Sequence, residues 1–438
     1  MKKIFLFIFS LAACSLLCIG DSPEAADYTP YKYGTTFLEG KLTFGGRIRV
    51  RQEYLSNYYI PQNQVDDDLT LSQTRLYVDV QPVKGLGINL TLEDARDFSE
   101  PHPYKPLVPY AYDTPLDIQQ AYVYYVPDNA PYSVWAGRRE ISYLKHRLIG
   151  TTYGWGNKII AYDGFTMTYT HEQFIFDLAY LNRVAPQHGR DVFQHDWFDS
   201  PNDTFVAWLT FNKINPYGKI DAYVIVDSRE KDVEVYTCGL RAYGAIGSLN
   251  YDINGTLQQG DALVHGDMQD RAAAAFYLDV WYPFDTSLKP TLGLEYFMAT
   301  GDSDPAGGKY ETFDQLYATP HYSYGYMDLF GWQNMHDLNI KASVVPLENM
   351  KLMASLHSFW LYANEDNWYN AYKGIQRTGD RNAGKFVGNE IDLICYYDFM
   401  KHLQFIGTYG HFFAGDFVDD TGPSKDADFV SLELKFEF

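Results

Sequence analysis

Apolar and polar residues alternate from Val430 onward in the final stretch of the chain, residues 427–438. Val430, Leu432, Leu434, Phe436 and Phe438 fall on one side, and Ser431, Glu433, Lys435 and Glu437 on the other. A repeat of two is the signature of an extended strand whose faces meet different surroundings. The repeat returns near the start, over 42–54, where Phe44, Ile48 and Val50 oppose Arg47, Arg49, Arg51 and Glu53. It continues over 69–80, then over 86–93, with Leu86, Ile88, Leu90 and Leu92 on the apolar side. Between residues 250 and 258, Asn250, Asp252, Asn254, Thr256 and Gln258 oppose Tyr251, Ile253 and Leu257. Tight turns are expected near 82–85, 127–131, 172–173, 215–218, 245–247, 283–285, 346–349 and 400–401. Longer connections alternate with them: a polar one through Asp68, a proline-rich one through Pro101 and Pro109, then 142–160, 184–202, 260–268, 301–334, 364–387 and 415–426. The connection near 229–232 is the one short exception.

This rhythm predicts about eighteen strands, an even number, with the long loops gathered at one end. A sandwich of two sheets has no reason to sort its loops in that way. The expected fold is therefore all-β: a single transmembrane antiparallel β-barrel of the outer-membrane type, apolar outside and polar within. The strand ending at Phe438 should close against the strand beginning at Leu42, and an aromatic ending of this kind is usual for a closing strand.

Composition strengthens that picture. Aromatic residues make up 17% of the 438 residues, 38 of them Tyr, yet mean hydropathy is slightly negative. A barrel needs aromatic girdles, and only every second residue of its strands need be apolar. After the N-terminal leader, no run of about twenty apolar residues offers a spanning helix. The leader itself reads as a signal peptide over residues 1–20, reaching 26 at most, with Lys2 and Lys3 ahead of an apolar core and cleavage after Cys18-Ile19-Gly20. Leu11-Ala12-Ala13-Cys14 also fits a lipoprotein cleavage box. The barrel then occupies 27–438, and the expected location is the bacterial outer membrane. Cys238 and Cys395 remain in the mature chain on separate strands and read as packing residues. The net charge of −21 argues against nucleic acid as a partner. Acids bunch at Asp66 to Asp68, at Asp302 and Asp304, at Glu365-Asp366 and at Asp419-Asp420. Solvated loops explain them, and divalent cations bridging them to lipopolysaccharide are the functional alternative. No other cofactor is expected.

Catalytic motifs are missing from the sequence: there is no phosphate-cradling glycine loop, no nucleophile elbow and no paired metal-binding histidines. His357 sits in the middle of a strand and reads as a satisfied or lumen-facing side chain. Arginine carries the candidate chemistry. Arg47, Arg49 and Arg51 line one strand face, Arg75 lies on the next strand, and Arg138 shares a face with Glu140, Arg139 opposing them. Guanidinium groups stay charged and fork onto carboxylates. A row of them in a pore would offer successive weak sites to a carboxylated or sulfated sugar chain. The alternative is an internal ladder in which they neutralise Glu53, Asp79, Glu93 and Glu140, since buried charges need partners either way.

The segments Leu71-Ser-Gln-Thr-Arg-Leu, Glu93-Asp-Ala-Arg, Asp117-Ile-Gln-Gln-Ala-Tyr-Val, Gly137-Arg-Arg-Glu-Ile-Ser-Tyr, Arg147-Leu-Ile-Gly, Trp155-Gly-Asn and Asp163-Gly164 resemble the alginate-export family of outer-membrane porins. The resemblance is clearest over 40–180. It implies a monomeric barrel passing a polyuronate through an arginine-lined constriction, with Arg75, Arg138, Glu140 and Arg147 near that constriction. Later strands depart from a uniformly basic lining, offering Asp221, Asp227, Asp252, Glu295, Glu390 and Asp392 with few bases besides Arg241, Lys341 and Lys435. Two functions follow as expectations. One is passive passage of an anionic polysaccharide or its fragments past Arg47, Arg49, Arg75, Arg138, Glu140 and Arg147. The other is a general or small-solute diffusion porin.

Overall fold

The first barrel strand, β1 (Leu42–Ile60), hydrogen-bonds on one side to β2 (Asn63–Val83) and on the other to the last, β18 (Ala427–Glu437). That pairing closes the sheet: Arg47 lies opposite Glu437 and Val50 opposite Leu434, and the Phe438 backbone exchanges two hydrogen bonds with Gly46, at 2.9 and 3.0 Å. The computed structural model describes residues 34–99, 114–152, 154–184, 202–212, 217–229, 232–264, 266–319, 321 and 323–438. The leader, the 101–109 prolines, most of the 184–202 connection and Asn215-Pro216 lie outside them.

Between the closing strands run β3 (Leu86–Asp97), β4 (Thr114–Tyr125), β5 (Tyr132–Arg139), β6 (Tyr162–Thr170), β7 (Phe174–Arg183), β8 (Asp203–Phe211), β9 (Gly218–Arg229) and β10 (Val233–Ile246). They continue as β11 (Leu249–Val264), β12 (Asp267–Pro283), β13 (Thr291–Ala299), β14 (Met335–Leu347), β15 (Met350–Trp360), β16 (Phe386–Met400) and β17 (Leu403–Ala414). Among the described residues the barrel therefore has 18 antiparallel strands.

Exposure follows the alternation. Ile48 and Val50 are 44% and 50% exposed, whereas Arg47 and Arg49 are 4% and 1% exposed. Leu432, Leu434 and Phe436 point outward and Glu433 inward, as the sequence predicts. The opposite register would place three arginines in lipid, at roughly 2–4 kcal/mol each near the midplane. Cys238 and Cys395 are free and half-buried.

Two of the expected connections are corrected. β1 and β2 run on to a turn at Pro61-Gln62, so Asp66 to Asp68 lie on a strand and not in a loop. The expected 260–268 loop is mostly strand too, with β11 ending at Val264 and β12 beginning at Asp267. These two add to the expected short link between β9 and β10 and break the alternation of long and short connections. The cause is that strand pairing joins backbones, so a hairpin rising beyond the apolar band continues without apolar side chains.

The genuinely long connections fold into the barrel. Residues 140–161, 300–334 and 361–385 pack against one another and against the inner wall at the end bearing the long loops. Their Leu148, Ile149, Phe313, Phe330, Trp332 and Trp368 are buried. Phe330 stacks on wall residue Phe359 at 3.7 Å, and Trp368 lies 5.5 Å from Tyr59. Inward positions there become apolar to match, as at Leu69 and Leu71, while further along β2 Gln73 and Arg75 also face inward. A short helix (Asp416–Thr421) covers part of the rim, with Phe417 and Val418 buried beneath it. The core of this protein thus lies inside the barrel, in its loop-bearing half.

Candidate functional site

Alternation on β1 and β2 delivers Arg47, Arg49, Arg51 and Arg75 to the inner wall, where the inward loop 140–161 meets them. Arg49 donates to the carbonyls of Gly154 (3.1 Å) and Gly156 (2.8 Å), and Arg51 to that of Trp155 (2.5 Å). The loop backbone comes this close because Gly154 adopts a φ of +87° and Gly156 has no Cβ, which would sit 2.7 Å from the Lys158 carbonyl. The Arg51 guanidinium also lies over the Trp155 ring, 3.8 Å from its centroid. Arg47 donates to Gln73 at 2.6 Å. Arg75 pairs with Glu140 and with Glu93 (3.4 Å) and donates to Gln119 (2.7 Å). Arg51 pairs with Glu53 at 2.7 Å, and Lys158 with Asp117 at 2.8 Å. Four of the six candidate residues, Arg47, Arg49, Arg75 and Glu140, thus gather in one buried socket that holds a loop. Glu53, Glu93 and Glu140 are partners there. Asp79 is not: it accepts from the Tyr124 hydroxyl at 2.9 Å.

Arg138 pairs outside that socket. On β5 it lies opposite Asp163 of β6 and Ala121 of β4 and is 2% exposed, following Gly137, whose φ is +119°. Its guanidinium forks onto Asp163 at 2.8 and 2.9 Å. Next along β5 is Arg139, whose guanidinium lies 4.4 Å from the Trp135 ring centroid. Glu140 reaches the socket from just beyond β5, which ends at Arg139.

The rest of the inner wall is largely acidic, as the sequence suggests, and several of its charges are paired. Arg241 forks onto Asp252 (2.7 and 2.8 Å) and reaches Asp221 at 3.5 Å. Lys341 holds Glu295 and Asp279, at 2.5 and 3.1 Å. His357 bonds Asp337 at 2.9 Å, in keeping with a satisfied strand histidine. Glu390 accepts from the Met327 backbone at 2.9 Å and thereby helps seat the 300–334 loop.

Asp314 anchors that same loop, pairing with Arg229 (2.6 Å) and Lys373 (2.9 Å). Burial alone would raise its pKa, but Lys373, Arg229 and Arg271 outweigh burial and hold it well below the usual carboxylate range. A lowered folded-state pKa gives stability that is full above the ordinary value near about 4 and is lost only as pH falls through the lowered one. Amide exchange at 313–317, corrected for intrinsic rates, should therefore stay equally slow from neutral pH down to about 4. Asp314→Asn should speed it at least about tenfold at both ends, the loss of a buried charged pair. Loosening of the wild-type loop already near neutral pH would contradict this.

Arg147 stands apart. It lies on the inward loop, 95% or more removed from solvent, with its guanidinium over Tyr277 (4.4 Å) and near Phe297 (5.3 Å). Nε and Nη1 are buried without a hydrogen-bond partner, and among the described residues Arg147 makes no ion pair. A buried guanidinium of this kind is suited to receive a carboxylate from outside the chain. The sequence reading reached Arg147 through resemblance. It missed Arg139, although Trp135 four residues earlier on the same strand face was a usable signal, and it missed Tyr277 and Asp314, whose roles depend on distant loops.

Residues 40–431 match the family described as alginate export. None of the curated proteins compared matches the chain. Among solved structures the chain is similar to three channels of Pseudomonas aeruginosa. OccK11 (OpdR) is 15% identical, covering 92% of this chain and 97% of that one, with a TM-score of 0.58. OccD3 (OpdP) is 13% identical, covering 93% of each chain, with a TM-score of 0.58. OccK2 (OpdF), solved in complex with glucuronate, is 9% identical, covering 92% and 97%, with a TM-score of 0.60. At these identities the likeness is one of fold.

Proposed function

The chain belongs to the alginate-export family and has the barrel of an outer-membrane channel, and from that premise we propose that it passes a carboxylated sugar chain, or short fragments of one, by passive diffusion. Arg147 carries the reading. Its guanidinium offers a charged fork inside the barrel, on an aromatic platform, with no ion pair to a carboxylate among the described residues. Arg47, Arg49 and Arg75 contribute indirectly, by fixing the loop that presents Arg147. Asp252 and Glu295 bear on Arg147 electrostatically and keep any captured carboxylate weakly held, as conduction requires. The same fold accommodates a uronate in OccK2. The barrel would work as a single chain, its apolar outer face in lipid and lipopolysaccharide.

Current block in planar bilayers tests this. Arg147→Gln should weaken block by a trimeric uronate about tenfold, equivalent to roughly 1.4 kcal/mol, and leave block by a neutral trisaccharide unchanged. Equal uronate block in variant and wild type would overturn the assignment. The packing of three loops into the lumen favours a second reading, a porin for small solutes. In that case monomeric carboxylates permeate and oligouronates neither block nor pass.

A further inference from the structure

A second aromatic and basic surface lies on the inner wall, on β4 and β5, toward the tight-turn end of the barrel. Tyr122, Tyr124 and Trp135 all face inward there and are half-buried. Trp135 sits 5.4 Å from Tyr122 and 4.9 Å from Tyr124, centroid to centroid. Tyr124 is opposite Gly87 on β3, and a Cβ on Gly87 would come within 2.1 Å of the Tyr124 ring. The ring therefore lies across the bare backbone of β3, with the Trp135 ring tilted 30° beside it. Its hydroxyl, bonded to Asp79 at 2.9 Å, fixes it there. Arg139 completes the group. Its guanidinium rests on Trp135 and donates to two neutral acceptors, the Thr166 hydroxyl at 3.4 Å and the Glu140 carbonyl at 3.3 Å. No ion pair joins it to a carboxylate among the described residues.

Aromatic faces left toward a polar, water-filled passage are costly unless something apolar visits them. The axial C–H groups of a pyranose form such an apolar face, and a uronate adds a carboxylate at the ring's edge. We infer that Tyr122, Tyr124, Trp135 and Arg139 form a pyranose-stacking subsite for uronate residues, separate from Arg147 and nearer the tight-turn mouth. Sugar rings settle on the tyrosine and tryptophan faces while Arg139 pairs with the carboxylate. Trp135 lies three residues into β5, about 10 Å from that end of the strand at the usual rise per residue. A sugar entering or leaving by that mouth meets this surface. The inference rests on the channel reading above but not on Arg147.

Rings lying over glycine also stabilise sheets, so Tyr124 is left in place and the test falls on Trp135 and Arg139. Block by a trimeric uronate, added on the tight-turn side of oriented full-length channels, is measured at low and at 1 M salt. Trp135→Leu should weaken block several-fold at both, because stacking is not screened, and Trp135→Phe, which keeps a ring, should restore most of it. Arg139→Gln should weaken block at low salt and match wild type at 1 M, where the screening length falls to about 3 Å. Heat-modifiable gel mobility and salt conductance equal to wild type confirm the folded barrel. Block unchanged in both Trp135→Leu and Arg139→Gln overturns the subsite. If Arg147→Gln then still loses block, the channel reading stands without it. If no oligouronate blocks the wild-type channel, both readings fail together.

Discussion

Arg75→Ala channels should carry several times the wild-type current and unfold at lower denaturant. Arg75 is buried in the wall socket between Glu93 and Glu140 and also donates to Gln119. Its removal takes from buried Glu140 the guanidinium it pairs with. Glu93 keeps Lys158 at 3.5 Å and the Ile159 amide at 3.1 Å. Breaking a buried pair from one side costs about 3–5 kcal/mol, most of which the protein escapes by letting residues 140–161 leave the wall. The loop then stops narrowing the lumen, and Arg147 leaves with it. Unitary conductance and urea unfolding read the two effects. A variant with wild-type conductance and a stability loss below about 1 kcal/mol would show that the socket does not hold the loop.

Trp332→Ala should open the other side of the lumen. Trp332 is fully buried within the 300–334 loop, 5.2 Å from Phe313 and 6.0 Å from Tyr277. It donates through its indole to the Met298 carbonyl at 3.0 Å and through its backbone to Gln315 at 2.8 Å. Truncating a buried tryptophan costs about 3–5 kcal/mol. Since Tyr277 is also the platform of Arg147, uronate block should weaken along with the rise in conductance. In Arg75→Ala, Arg147 itself is displaced; in Trp332→Ala it stays on its loop and loses part of its support. Combining the two substitutions should therefore add in conductance but not in block, because they act on one binding group. Full additivity in block would separate Tyr277 from the site.

The barrel was legible because its strands keep one rule for most of their length. Val430 to Phe438 and Arg47 to Arg51 alternate without exception, so a shift of one residue would have been conspicuous. Legibility failed where that rule gave way to another. Asp66 to Asp68 remain in the ladder above the apolar band, held by backbone pairing to which side-chain polarity is indifferent. Alternation could not place Arg139 beside Trp135 and Glu140 in the socket together, because Glu140 already belongs to the loop and not to the strand. The loop core shows no period at all. Phe330, Trp332 and Trp368 find partners on strands far away in sequence, and single-chain patterning carries no trace of such contacts. Arginine in a lumen was readable from sequence; which arginines were already occupied was not.

The β1–β18 seam has a kinetic consequence. Those two strands stand at opposite ends of the sequence, yet each is the other's missing neighbour, down to the Gly46 and Phe438 backbones. Every other strand of the barrel can find its partner by forming a hairpin or pairing with the next strand along. The final closure is a search over nearly the whole polypeptide, the slowest kind of contact to make. Until it succeeds, the sheet has two raw edges able to template any strand that drifts near. Whatever escorts this chain to the membrane must therefore shield the β18 edge and then yield it, since an edge capped too firmly would leave an open sheet that never becomes a pore.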